Sequence, residues 1–447
     1  MKSYLVLLLL ILAVCVGCTP SRSPNETTSA PKPGPPADTI TVFMTGNILS
    51  TLQPCGCSSG QLGGFDRRGA VLATAPAERR LIVDTGNLLA GDGPQDIIKS
   101  GIMMQAMAML HYDVANLTPK DLATVTSAGM AEGNAFALIT PGGKGETGLE
   151  AAFSKQFEIA GKTLAVSVAS VHAEAIDLSS VRSLFKTHDS DLTLNILIVD
   201  DGSDDLRALL EGFEGLDVVV CPAAADEPRI VDAKRRKPLF VSVGRLGKYV
   251  ARLTARPTED GELKLAFDKI AVDESLHQDQ NLVQLYKDYQ LMLKEERLLE
   301  KHPRVPLPGG LKYLGSDTCR SCHDYEYEKW STNAHAHAYE TLVKVGSQHD
   351  PECVRCHVVG FGYESGFITE ESAQDLRDVG CEVCHGPGSD HFKAMTSGRA
   401  DTGIAQPQAG CVDCHNPDHS PGYQGHEAEF LQKIVHWREP KAADDVK

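Results

Sequence analysis

A chain of 447 residues, 42% hydrophobic and 23% charged, has room for two or three cored domains and is not disordered as a whole. Its formal charge of −17 argues against a nucleic-acid binder, which needs a basic surface to displace phosphate counterions. No helix-turn-helix, P-loop or zinc-finger pattern opposes that reading.

The chain begins MKSYLVLLLLILAVCVGC. Lys2 precedes an apolar run from Tyr4 to Val16, too short to span a bilayer comfortably and shaped like a signal peptide. The run ends in Val16-Gly17-Cys18, which resembles a bacterial lipobox, where cleavage exposes a cysteine for lipidation; Cys15 stands where that pattern usually has leucine. Residues 19–37 are rich in Pro, Ser and Thr, cannot bury a core, and read as a tether. The expectation is a signal peptide over 1–18, a lipid on Cys18, and a place on the periplasmic face of a bacterial membrane. Thr19, where an aspartate would retain a lipoprotein at the inner membrane, points to the outer one. The competing readings are a plain cleaved signal or an uncleaved anchor.

Residues 38–275 alternate short β-branched runs with stretches of helical spacing, the pattern of an α/β domain. Expected strands are Ile40–Thr45, Leu81–Thr85, Leu164–Val168, Leu194–Val199, Val218–Cys221, Leu239–Val243, Tyr249–Thr254 and Leu263–Phe267. Expected helices are Ile97–Tyr112, Lys120–Met130 and Asp205–Phe213. The amphipathic Asn281–His302 reads as one helix stopped by Pro303, within a helical linker over 276–310. Residues 311–439 form a separate region, mainly helical and loop-rich, with a tail at 440–447. In this region apolar runs disappear and 11 of the chain's 16 histidines fall. Its core needs a supplement other than side chains.

Of thirteen cysteines, eight lie beyond residue 318, all as Cys-x-x-Cys-His. The motifs are Cys319-Arg320-Ser321-Cys322-His323, Cys353-Val354-Arg355-Cys356-His357, Cys381-Glu382-Val383-Cys384-His385 and Cys411-Val412-Asp413-Cys414-His415. In such a motif both thiols bond to porphyrin vinyl groups and the adjacent histidine ligates the iron from below. Zinc sites and thiol redox pairs are the rival readings of repeated CxxC. The histidine after every pair, in an exported chain, favours four covalently bound c-type haems. Candidates for the second iron ligand are His335, His337, His349, His391, His419, His426 and His436.

The segments CRSCHDYEYEKWSTNAHAHAYETL, CVRCHVVGFGYESGF and VGCEVCHGPGSDH resemble the cytochrome c-554 family, tetrahaem proteins that take electrons from hydroxylamine oxidoreductase in ammonia oxidisers. The likeness covers about 125 residues. It implies that His335, five residues after Trp330, ligates the fourth haem and His391 the first. A C-terminal histidine ligates the third: His436, with His426 the alternative. It also implies that the second haem, at His357, keeps an open position where a small ligand could bind.

The segments ITVFMTGNILSTLQPCGCSSGQLGGFDRRGAVL, RRLIVDTGNLLAGD, YDVANLTPKDL and KPLFVSVGRLGKYVARL resemble the metallophosphatase domain of 5′-nucleotidases. That resemblance implies a β-sandwich flanked by helices, holding two metals on Asp, His and Asn side chains. Motif by motif the ligands are replaced. Asp-x-His becomes Asn47-Ile48-Leu49, Gly-Asp becomes Gly86-Asn87, and Gly-Asn-His-Glu becomes Thr118-Pro119-Lys120-Asp121. The later histidines fall at Asp200-Asp201 and at Cys221-Pro222-Ala223-Ala224. The domain is therefore expected to keep the fold, hold no metal and have lost the hydrolase chemistry. Cys55-Gly56-Cys57, in a Gly-rich loop, reads either as a strained disulfide or unpaired thiols, or as a redox-active pair or soft metal site.

The chain as a whole reads as an exported electron carrier that meets redox partner proteins and, through its lipid, a membrane. The alternatives are an oxidoreductase acting on a small nitrogen or sulfur species at the haem of His357, and a phosphoesterase with a cytochrome tail.

Overall fold

The computed structural model describes residues 36–437, except 37, 55–58, 144–147, 186–188, 223, 233–236 and 400–409. Cys18, the signal segment, the tether, and the Cys55/Cys57 pair therefore lie outside the described residues. The α/β region opens with β1 (Ile40–Thr45), α1 (Phe65–Leu72), β2 (Arg80–Asp84), α2 (Pro94–Met109), β3 (Val114–Asn116), α3 (Pro119–Ser127) and β4 (Ala137–Ile139). It continues with β5 (Ala152–Ile159), β6 (Lys162–Val171), α4 (Leu178–Leu184), β7 (Leu192–Val199), α5 (Asp204–Leu210) and β8 (Val218–Val220). The last strands are β9 (Arg229–Ile230), β10 (Leu239–Ser242), β11 (Tyr249–Pro257) and β12 (Leu263–Ala271).

These strands form two mixed six-stranded sheets, ordered β12-β11-β1-β2-β3-β4 and β5-β6-β7-β8-β10-β9. Period-two alternation decides which residues each sheet turns to each side. Val42, Met44, Leu81 and Val83 of the first sheet meet Leu164, Val166, Leu194 and Ile196 of the second in a fully apolar layer between them. The opposite face of the first sheet, with Phe43 and Ile82, is covered by Leu72 of α1, Met103 and Met107 of α2 and Val125 of α3. The outer face of the second carries Val181 of α4 and Leu206 and Leu210 of α5. The result is an α-β-β-α sandwich.

The segment read as one helix over 281–302 is two, α6 (Gln280–Glu295) and α7 (Leu298–Lys301). Arg297 breaks it by adopting a left-handed backbone, φ 54° and ψ 46°, which a side-chain pattern does not reveal. Nor is α6 a free-standing connector. Leu282, Leu285, Tyr289 and Leu293 bury themselves in the same apolar layer as α1 and α2.

The C-terminal region consists of short helices joined by turns. They are α8 (Ser316–Arg320), α9 (Asp324–Trp330), α10 (Ala338–Val345), α11 (Pro351–Val354), α12 (Cys381–His385), α13 (Ser389–Thr396) and α14 (Glu427–Gln432). Its buried apolar cluster is small: Tyr339, Leu342, Val354, Val358, Val359, Phe367 and Leu376, with Leu299 lent by α7. Among the described residues no helix is long and apolar enough to cross a membrane.

Candidate metal centres in the C-terminal region

The first and second motifs begin in the last turn of α8 and α11, and the third and fourth open a short helical turn of their own, Cys381–His385 and Cys411–Asp413. In the first and fourth motifs the histidine N–H bonds the first cysteine's carbonyl, His323 to Cys319 at 3.0 Å and His415 to Cys411 at 2.8 Å. None of the eight motif thiols is in a disulfide. The motifs sit in couples. Cys319 and Cys381 hydrogen-bond each other, which lowers the Cys381 thiol to about 7 and pushes that of Cys319 up. Cys356 and Cys414 do the same, lowering Cys356 to about 7 and raising Cys414.

Three motif histidines each face a histidine from elsewhere in the chain. His323 faces His391 of α13, His415 faces His335, and His385 faces His436, with ring centres 6.2 Å apart in every case. An imidazole–metal bond of about 2 Å, plus roughly 1.1 Å from nitrogen to ring centre, places two rings about 6.2 Å apart across one ion. The spacing is too wide for ring stacking and leaves room for a metal between. Exposed apolar side chains lie close to these histidines in the chain, among them Phe392, Met395, Val412, Leu431 and Trp437, so a large flat apolar group finds surface to cover. The donor set thus fits a haem at each of these three places.

Local contacts aim the rings. His335 sits in a single 3-10 turn, Ala334–His337, whose start is capped by Asn333 accepting from the His335 N–H at 3.0 Å. Two residues on, His337 points elsewhere, with Nε2 3.1 Å from the Ser331 carbonyl. His426 pairs with Glu429 at 3.1 Å, and His349 lines a small cleft with Lys294, Glu370 and Glu371. His436 Nδ1 donates to the Ile434 carbonyl at 2.9 Å, which leaves Nε2 free for a metal.

His357 belongs to none of the three pairs. Its Nδ1 donates to the Ala338 carbonyl at 2.7 Å, again reserving Nε2. Burial pushes its basicity down, the Ala338 bond works against that, and nearby His419 adds a smaller push in the same direction as burial. Nothing in the sequence marks the Ala338 carbonyl, nor Ser420, whose hydroxyl lies 3.2 Å from His415 Nδ1. Both partners come from positions whose approach only the fold defines.

In the α/β region the residues at the replaced ligand positions satisfy one another. Asn87 Nδ2 donates to Asn47 Oδ1 at 3.0 Å, and Asn47 Nδ2 donates to the Gly244 carbonyl at 2.9 Å. Both asparagines are left-handed, φ 49° for Asn47 and 55° for Asn87, a conformation their short polar side chains tolerate. Asp121 caps α3 and accepts from the Leu89 N–H at 3.1 Å; burial pushes its carboxyl up. Lys120 reaches the Ala90 carbonyl. In the second half of the sandwich, Asp200 accepts from His172 Nδ1 at 2.7 Å, while Cys221 is buried with its thiol on the Val241 carbonyl. At the end of β2, Asp84 is fully buried, bonded to Thr45 at 2.6 Å and raised by desolvation to about 6.

Residues 318–386 match the family described as cytochrome c554 and c-prime. The cytochrome c-554 of Nitrosomonas europaea is 38% identical over an alignment of 101 positions that covers 18% of this chain and 43% of that one. The chain therefore spans less than half of that curated relative. The solved 5′-nucleotidase precursor of Thermus thermophilus superposes with a TM-score of 0.46 at 14% identity, covering 69% of this chain and 68% of its own. The NAD nucleotidase of Haemophilus influenzae gives 0.45 at 11% identity, covering 76% and 74%.

Proposed function

We propose that the C-terminal region binds four covalent c-type haems and that the protein is an exported electron-transfer cytochrome. The observation that carries this is the three imidazole pairs, each joining a motif histidine to a distant one at 6.2 Å. The match of residues 318–386 to the cytochrome c554 and c-prime family supports c-type haem. When bound, each haem supplies an iron that alternates between ferric and ferrous states. The chain's own part is to fasten and aim it. Eight thiols would form the thioether links, His323, His357, His385 and His415 would each ligate an iron, and His391, His436 and His335 would supply a second ligand at the first, third and fourth motifs. Two strong-field imidazoles leave an iron no site for substrate, so these three serve transfer alone.

In this reading the α/β region is non-catalytic, because the amides of Asn47 and Asn87 bond each other where a hydrolase would present carboxylate and imidazole. Export follows from the apolar N-terminal run, and Cys18 carries the lipid that holds the protein at the outer membrane, where it meets redox partner proteins. The deciding experiment is the intact mass and haem content of the mature full chain. Four haems and a diacylglycerol adduct support the reading, and a haem-free protein that binds zinc would overturn it. Added manganese should give no hydrolysis of nucleotides or generic phosphoesters.

A second reading has its own observation: His357 stands outside the three imidazole pairs. An iron held there by one protein ligand would bind a small nitrogen or sulfur species, making the protein an oxidoreductase. Reduced protein that forms no carbon monoxide or nitric oxide adduct excludes it.

A further inference from the structure

The motif that ends in His357 is fastened unlike the first and third. The first and third motifs are held from within their own region. Glu382, buried in α12, accepts from the N–H groups of Leu314, Gly315 and Gly388 at 2.7–3.1 Å, and Ser316 accepts from the Cys381 N–H at 3.1 Å. The second motif is held by the α/β sandwich. Its helix α11 begins at Asp350, whose Oδ1 caps the turn by accepting from the Glu352 N–H at 2.9 Å.

Asp350 is only 3% exposed. Its carboxylate also receives Gln95 Nε2 of α2 at 2.8 Å, and Tyr289 Oη and Gln290 Nε2 of α6 at 3.2 and 3.4 Å. Gln95 in turn donates to Tyr289 Oη at 2.9 Å. One turn along α2, Lys99, with its side chain 4% exposed, meets Glu352 at 2.6 Å. A buried carboxylate and a buried ammonium, both tied to α2, therefore flank the turn that carries Cys353. Buried charges act through a low dielectric and are poorly screened by salt. They also cost desolvation energy, which their hydrogen bonds offset.

We infer that Asp350 and Lys99 form a positioning and charge-setting clamp through which the α/β sandwich fixes the orientation and redox potential of the haem at His357. The inference rests on the haem reading above. The carboxylate favours the ferric iron and the ammonium favours the ferrous. Lys99 is itself paired with the Glu352 carboxylate, so removing Asp350 takes away a negative charge and removing Lys99 uncovers one; each displaces a single haem while the other three keep their potentials.

The test is a spectroelectrochemical titration of the full-length holoprotein as wild type, Asp350→Asn and Lys99→Met, with haem content measured first. The expected result is four haems in each protein, with one midpoint raised in Asp350→Asn, one lowered in Lys99→Met, and the other three unmoved. A purely structural clamp would move both variants in the same direction or alter all four haems. Four haems with unchanged midpoints, or shifts of equal sign, overturn the clamp and leave the haem reading standing. Absence of haem from the wild type overturns the reading itself. Should Asp350→Asn not fold, the sign of the Lys99→Met shift decides alone, and a rise or no change refutes the inference.

Discussion

Replacing His335 by alanine removes one imidazole of the pair it forms with His415, and the geometry states how much should change. The two ring centres are 6.2 Å apart, the span of two imidazoles about 2 Å from one ion. Truncation to a methyl leaves that side of the iron open, because the neighbouring His337 is held by the Ser331 carbonyl and is exposed. One of the three haems held by two imidazoles should pass from low to high spin, visible as a charge-transfer band and a loss of about a third of the low-spin electron-paramagnetic signal. Added imidazole should restore it. His337→Ala provides the control: it removes an imidazole of the same size, two residues along, from a surface position. The reasoning fails if His335→Ala keeps all haems low spin, or if His337→Ala causes the same conversion.

Two further predictions concern stability. Asp84 is fully buried with its pKa raised from 3.8 to about 6, so the folded state holds its proton more tightly than the unfolded state does. Stability from this group is complete below pH 3.8 and is lost as pH rises through about 6. At pH 7 that loss amounts to about 3 kcal/mol. Urea melts of Asp84→Asn should show it, as a smaller decline than wild type between pH 4 and pH 7. Arg297→Gly should stabilise the α6–α7 break by about 1 kcal/mol, since glycine adopts the left-handed backbone without steric cost. A lowered melting temperature would contradict it; the exposed pair with Glu300 that is given up contributes little.

What a sequence discloses depends on how local the cause is. The strands Ile40–Thr45 and, within Leu192–Val199, the expected Leu194–Val199 announce themselves because a largely apolar, β-branched run of about six residues is a local signal. The three-residue strands β3 and β4 offer no period to read, and they exist because β2 and its parallel neighbours hold them. The haem motifs are legible for a related reason: two thioethers and a ligand on one porphyrin edge demand contiguous residues. The opposing histidines are not contiguous with anything. Family resemblance points to His335, His391 and His436, but their separation from the motif histidines is a property of the folded chain. The clamp on α11 is not legible at all. Gln95 and Asp350 are 255 positions apart, and nothing in either neighbourhood marks them as partners.

That clamp also bears on what the sandwich does for the region that follows it. The C-terminal region's buried cluster numbers eight side chains, one of them, Leu299, contributed by α7, so the region is short of apolar core for its length. A bound haem would add to such a core, but only in a chain that already presents its thiols and histidines together. The sandwich has three apolar layers of its own and offers donors to the C-terminal region at two places. One is Gln95, Lys99, Tyr289 and Gln290 around α11. The other is Gln61 and Lys248, which take the His419 carbonyl at 3.0 Å and Asp418 at 2.6 Å, just beyond the fourth motif. Both anchors fall on the second and fourth motifs, the couple whose thiols Cys356 and Cys414 touch. The first and third motifs carry no such attachment among these bonds. A template that holds one couple and lets the other complete itself around its own Glu382 needs rigidity and surface donors.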